Sequence, residues 1–166
     1  MCYNNNNDDF SDFTVLSMEG TEFAFHKLIL AMQSPPLKAM MTHDTKEKKE
    51  GQLRLEEKEE IVQHFVSYFY DRKVPEEVLE DNLESFLSLA EMYDLKPLKL
   101  QAEKVAIKVM TTGNMVEMFY LGDMYNARKL KEASEFLMMR NREVLKDADI
   151  GKYPAHVLED IFRLIC

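Results

Sequence analysis

Four histidines, two cysteines and thirty carboxylates are the side chains of this 166-residue chain most able to do chemistry. A metal centre needs His or Cys ligands a few residues apart. His26, His43, His64 and His156 are far apart, and none stands at ligand spacing with a cysteine. Cys2 and Cys166 lie at opposite ends. No internal thiol is therefore offered to a neighbouring histidine as a nucleophile, and a disulfide would have to join the termini, a usage that fits a reducing compartment. The glycines (Gly20, Gly51, Gly113, Gly122, Gly151) are scattered, so no phosphate-cradling loop or dinucleotide fingerprint occurs. Glu56-Glu57 and Glu59-Glu60 are carboxylate pairs of a kind that can do acid–base work, but they flank a helix start, where negative charge favours the dipole. His26 opens a helix and reads as a satisfied, partly buried side chain. The expectation is no catalytic residue, no metal and no cofactor.

Binding chemistry is left. A net charge of −9 argues against a nucleic-acid surface, which needs clustered Lys and Arg. The densest basic run, Lys46-Glu47-Lys48-Lys49-Glu50, is interleaved with acids and reads as a solvated loop. No apolar run approaches the ~18 residues of a membrane span, and the polar start is no signal peptide. A cytoplasmic or nuclear protein is expected. Twelve methionines supply core packing at helical spacing, while Met40-Met41 and Met138-Met139, near loops, suit an adaptable binding surface.

The elements that position these residues follow from pattern. Residues 1–9, Asn-rich and polar, read as a disordered lead-in. Residues 12–18 and 21–25 alternate as strands around Glu19-Gly20, predicting a two-residue hairpin with Gly20 at positive φ. The stretch FHKLILAMQSPPLKAMM then predicts two short helices. Leu28, Ile29, Ala31 and Met32 form the apolar face of the first, Ser34 caps the second, and Pro36 lies in its first turn. A charged loop over 43–51 leads to a third short strand, 52–55. Helical spacing follows through Ile61, Val62, Phe65, Val66, Phe69 and Tyr70, then through Leu83, Phe86, Leu87, Ala90 and Met92. Lys96-Pro97 opens a further helix. Thr112-Gly113 predicts a left-handed stop, and Asn114 with Glu117 a capping box for the next helix. Helices over 130–145 and 154–165 close the chain. Strands first and helices afterwards give an α+β class: a small mixed sheet capped by helices, then an all-helical extension.

From residue 12 to 74 the chain resembles a BTB/POZ domain. The carrying residues are FSDFTVLSMEGTEFAFHKLILAMQSPPLKAMM, KEKKEGQLRL and IVQHFVSYFYDRKV, and LAEMYDLKPLKLQAE resembles the end of that domain. Residues 114–145 resemble the helical "3-box", or short BACK extension, of speckle-type POZ adaptors. The resemblance implies a lead-in at 1–9, a BTB/POZ domain at 10–110 and a 3-box/BACK-like extension at 113–166. It implies a substrate adaptor for a cullin-3 ubiquitin ligase, whose POZ domain grips the N-terminal region of the cullin and which catalyses nothing. The contact would fall on Met41, on the loop motif Thr45-Lys46-Glu47, on Tyr93 and Leu95, and on Met139. Two departures are visible. Thr45 stands where that motif has an apolar residue, forfeiting burial on the order of 1 kcal/mol, and the N-terminal helix that supplies the swapped dimer contact is replaced by residues 4–9. No MATH, kelch or zinc-finger segment accompanies the domain. The alternative is a scaffold, homo- or heterodimeric with other POZ proteins, or a competitor without its own substrate domain. Transcriptional or channel-type POZ modules and Skp1-like linkers fit less well.

Overall fold

The computed structural model of the chain describes residues 10–146 and 150–165. The expected lead-in and both cysteines lie outside the described residues. Strand β1 (Phe13–Leu16) pairs antiparallel with β2 (Glu22–Phe25), Phe13 opposite Phe25. Gly20 takes φ +89° as its turn requires. The connection has three residues rather than two, because Ser17 continues the ladder: its N–H donates to the Thr21 carbonyl and its buried hydroxyl accepts the Thr21 N–H. Gly20 then follows a turn closed by its own N–H on the Ser17 carbonyl.

Helices α1 (Lys27–Gln33) and α2 (Pro35–Thr42) meet at Ser34, whose hydroxyl accepts the Leu37 N–H at 3.2 Å and donates to the Tyr93 carbonyl at 2.7 Å. The expected face of α1 is corrected. Leu30 is its buried residue, whereas Leu28 and Met32 are 70% and 77% exposed. Bonds at both ends set the rotation of the helix: Asp12 accepts the Lys27 N–H, and Gln33 Nε2 donates to the Phe69 carbonyl. The apolar arc is simply wider than the arc the core can cover.

The expected loop over 43–51 contains a helix, α3 (Lys46–Glu50). Thr45 caps its start by accepting the Lys48 N–H, and Gly51 ends it at φ +68°. Charge composition masked a cap-to-glycine helix of five residues. Strand β3 (Gln52–Arg54) then lies parallel to β1, giving a mixed sheet of order β2-β1-β3. Helix α4 (Glu59–Asp71) buries Ile61, Val62, Phe65, Val66 and Phe69 on the sheet. Phe65 and Phe25 each meet Phe69 edge to face, at 5.2 and 5.7 Å between ring centres. Helices α5 (Glu76–Asp81), α6 (Leu83–Met92) and α7 (Lys96–Lys108) complete this unit. Pro97 sits in the first turn of α7, and Met92 faces outward instead of inward.

The chain continues as α8 (Met115–Met124), α9 (Arg128–Arg140), α10 (Arg142–Lys146) and α11 (Ala155–Ile165). Gly113 is not left-handed, since α7 already ends at Lys108. Asn114 precedes α8 without capping it. Its side chain turns back to accept from Thr111 and to donate to the Val109 carbonyl, so no capping box forms. Helices α8 and α9 approach so closely that a Cβ on Gly122 would stand 2.7 Å from the Lys131 nitrogen. A second core of Met115, Val116, Phe119, Met138, Leu145, Val157 and Ile161 lies among α8–α11.

Candidate protein-binding surface

Three of the six residues expected to make the contact, Met41, Thr45 and Glu47, are half-buried at the junction of α2 and α3. A fourth, Tyr93 in the α6–α7 turn, is 3% exposed and belongs to the core. Met41 is half-buried near the end of α2, packed on the main core. Thr45 is half-buried, and its hydroxyl donates to the Met40 carbonyl while accepting the Lys48 N–H. Its role is local: one hydroxyl ties the end of α2 to the start of α3. Glu47, in the first turn of α3, is half-buried beside Tyr93. Burial, with the Glu47 charge adding to it, pushes the Tyr93 phenol up to about 12. The Ser34 bond to the Tyr93 carbonyl clamps the α6–α7 turn to the α1–α2 elbow. Asp94 lets the chain reverse there at φ +50°.

The other two are placed differently. Leu95 is 1% exposed, and its side chain belongs to the core; it shapes the turn rather than presenting a surface. Met139 is exposed on α9, a helix that packs chiefly on α8 and also meets α7, α10 and α11. His26 accounts for itself through Nδ1 at 2.9 Å from the Tyr70 hydroxyl.

Sequence reasoning missed the outward apolar arc of α1, Leu28 and Met32. The available signal was that Leu28, Ile29, Leu30, Ala31 and Met32 run apolar around the whole helix, more than one face can bury. It also missed exposed Phe136 on α9, over which the Arg140 guanidinium lies at 4.7 Å. A groove of about 340 Å³ between α5–α6 and α8 is lined by Glu80, Asp81, Glu84 and Glu117 over Leu83, Met118 and Leu121. It offers carboxylates without a histidine, a thiol or a lysine among them. None of these surfaces assembles a nucleophile with a base.

Residues 3–110 match the BTB/POZ domain family. The chain belongs to the BTB/POZ family. Its mixed sheet and helices α1–α7 are the BTB fold, with a helical region following. The chain is also similar to the protein maternal effect lethal 26 of Caenorhabditis elegans, 29% identical over 160 residues. That alignment takes in 93% of this chain and so extends beyond the POZ domain into the helical tail. It takes in 40% of the relative, so the chain spans about two fifths of that protein's length. With POZ membership comes a protein-interaction role, and the exposed methionines and aromatics are read in that light.

Proposed function

We propose that this POZ chain is an adaptor that binds the N-terminal region of cullin-3 and so brings a substrate to a ubiquitin ligase. The observation that carries the reading is half-buried Met41, Thr45 and Glu47 at the α2–α3 junction, with buried Tyr93 next to Glu47 and the 3-box-like pair α8–α9 built onto the same core. Met41 supplies a pliable apolar contact. Glu47 supplies a carboxylate, and Tyr93 is a rigid, neutral backing at any physiological pH. Met139 on the 3-box-like tail adds a second contact. An adaptor of this kind acts by raising effective concentration rather than by chemistry. Residues 10–110 serve as the POZ unit and 113–166 as the 3-box/BACK-like unit, in the cytoplasm or nucleus.

Calorimetric titration of the purified chain against the cullin-3 N-terminal region tests this. Micromolar or tighter binding, weakened by Met41→Asp, upholds it; no binding sinks it.

A second reading is favoured by Leu28 and Met32, which lie one turn apart on α1 and stay largely exposed. Exposed apolar residues at that spacing suit a helix face that pairs with another POZ chain, making the protein a scaffold or a competitor. Sedimentation of the chain and of its Leu28→Glu, Met32→Glu variant decides it: an oligomer that the variant dissolves supports pairing, and a wild-type monomer ends it.

A further inference from the structure

We infer that Glu103 is a positioning residue whose buried carboxylate sets how α9, and with it Met139, stands on the POZ domain. The inference rests on the adaptor reading for what the position is used for. Glu103 lies on α7, within the span of the POZ match, and is only 3% exposed. A carboxylate withdrawn this far from water needs a partner to keep it. Its Oε1 accepts the backbone N–H of Lys129 at 2.9 Å.

Lys129 is the second residue of α9, where backbone N–H groups have no acceptor within the helix. Ala127 at the cap position has no side-chain acceptor to offer. Glu103 supplies it from another helix, and places negative charge at the positive end of the α9 dipole. An ordinary cap ties a helix start to its own preceding residues. This one ties the tail to the POZ domain.

The surroundings agree. Ala127 and Leu130, on either side of the bond, are fully buried in the POZ core, while Met138 further along α9 belongs to the second core. The first turn of α9 is thus anchored in one core and its far end in another. The neighbouring ties, Asn126 to Glu91 and Tyr125 to Glu84, hold the α8–α9 turn from its solvent side. Met139 lies ten residues beyond Lys129, a lever of about 15 Å. Packed helices accept roughly 15–20° of scatter in crossing angle. A swing of that size about Lys129 would carry Met139 about 4–5 Å, enough to break a side-chain contact.

The test uses the full chain as wild type, Glu103→Gln and Glu103→Met, followed by hydrogen exchange of the α9 amides and by titration with the cullin-3 N-terminal region. Gln keeps an acceptor oxygen, and Met fills a similar volume without one. The expected result is that Glu103→Met speeds α9 exchange by about tenfold and weakens cullin binding by about tenfold, while Glu103→Gln stays within about threefold of wild type in both. If Glu103→Met fails to fold, Lys129→Pro deletes the donated hydrogen in a first turn that tolerates proline, and the same two shifts are expected. Equal exchange across the variants overturns the inference, as does Glu103→Gln behaving like Glu103→Met. Should wild type not bind cullin, the adaptor reading falls by itself, and the exchange contrast alone upholds or overturns the positioning role.

Discussion

The POZ core holds a cluster of rings centred on Phe69, which Phe65, Phe25 and Tyr68 each meet edge to face, all of them fully or nearly buried. Around Phe119 the tail core is built of Met115, Met138, Val116, Leu145, Val157 and Ile161, with a single fully buried ring. The two are also fastened differently. The POZ unit is closed by bonds that are themselves buried, such as Ser34 to the Leu37 amide and the Tyr93 carbonyl. The tail is closed at its rim. Lys131 on α9 reaches Asp123 on α8 at 2.6 Å and Asp160 on α11 at 3.6 Å, and its ammonium lies 5.0 Å from the centre of the Phe119 ring. His156 on α11 meets the other oxygen of Asp123 at 3.3 Å. Rings in edge-to-face contact have few alternative packings, whereas methionines adapt. On packing grounds the POZ unit has fewer alternative arrangements than the tail.

Truncation tests this most severely. Phe65→Ala is expected to cost about 3–5 kcal/mol and Met138→Ala about 2–3 kcal/mol, read from urea unfolding of the full chain. Equal losses would erase the contrast between a rigid core and a pliable one. Gly122→Ala comes next. The added Cβ meets the Lys131 backbone, not the tip of a flexible side chain, so the helices must part, at about 1–3 kcal/mol. Hydrogen exchange should speed in α8, α9 and α11 while the β1–β2 amides stay protected; loosening of both would show that the tail is no separate part. The smallest effect is electrostatic. The hydrogen bond from Lys131 holds the Asp123 carboxyl below the usual carboxylate range, against burial, with His156 assisting. A depressed folded value means that this stabilisation is present above the unfolded value, near ~4, and is lost as pH falls through the folded one. Acid titration should therefore loosen α11 at pH below about 4, and Asp123→Asn should remove that step. An unchanged step in the variant would move the acid sensitivity elsewhere.

Much of the POZ platform was legible because its signals are local and redundant. Ser34 followed by two prolines marks a capped helix start whatever surrounds it, and Lys96-Pro97 does the same for α7. The alternation of β1 and the run from Ile61 to Phe69 each name a buried face. The site was legible in part. Resemblance named Met41 and Glu47, whose side chains are half-buried at the α2–α3 corner, yet it also named Tyr93 and Leu95, whose side chains lie in the core. By resemblance position 45 is a weakened apolar anchor, while in the fold the Thr45 hydroxyl caps α3 and ties it to α2. Composition hid that helix, since a five-residue run of alternating charge has no apolar period to report it. Asn114 misled for a related reason. A cap motif states what a side chain can bond, not which of two nearby backbones it will choose.

What the amino-acid sequence determined alone was the strands, the longer helices and their order, but not the short α3, α5 and α10, because caps, prolines and apolar spacing act over a few neighbouring residues. It also determined the family, because the HK-to-MM stretch is dense with such constraints. Tertiary structure decided which arc of an over-apolar helix is left outside, as at Leu28 and Met32, because burial depends on how much core there is to share. It decided, too, that a carboxylate on α7 would cap a helix start through an N–H 26 residues later, that of Lys129. A backbone N–H at a helix start donates to any acceptor that packing delivers, and only the folded chain delivers Glu103.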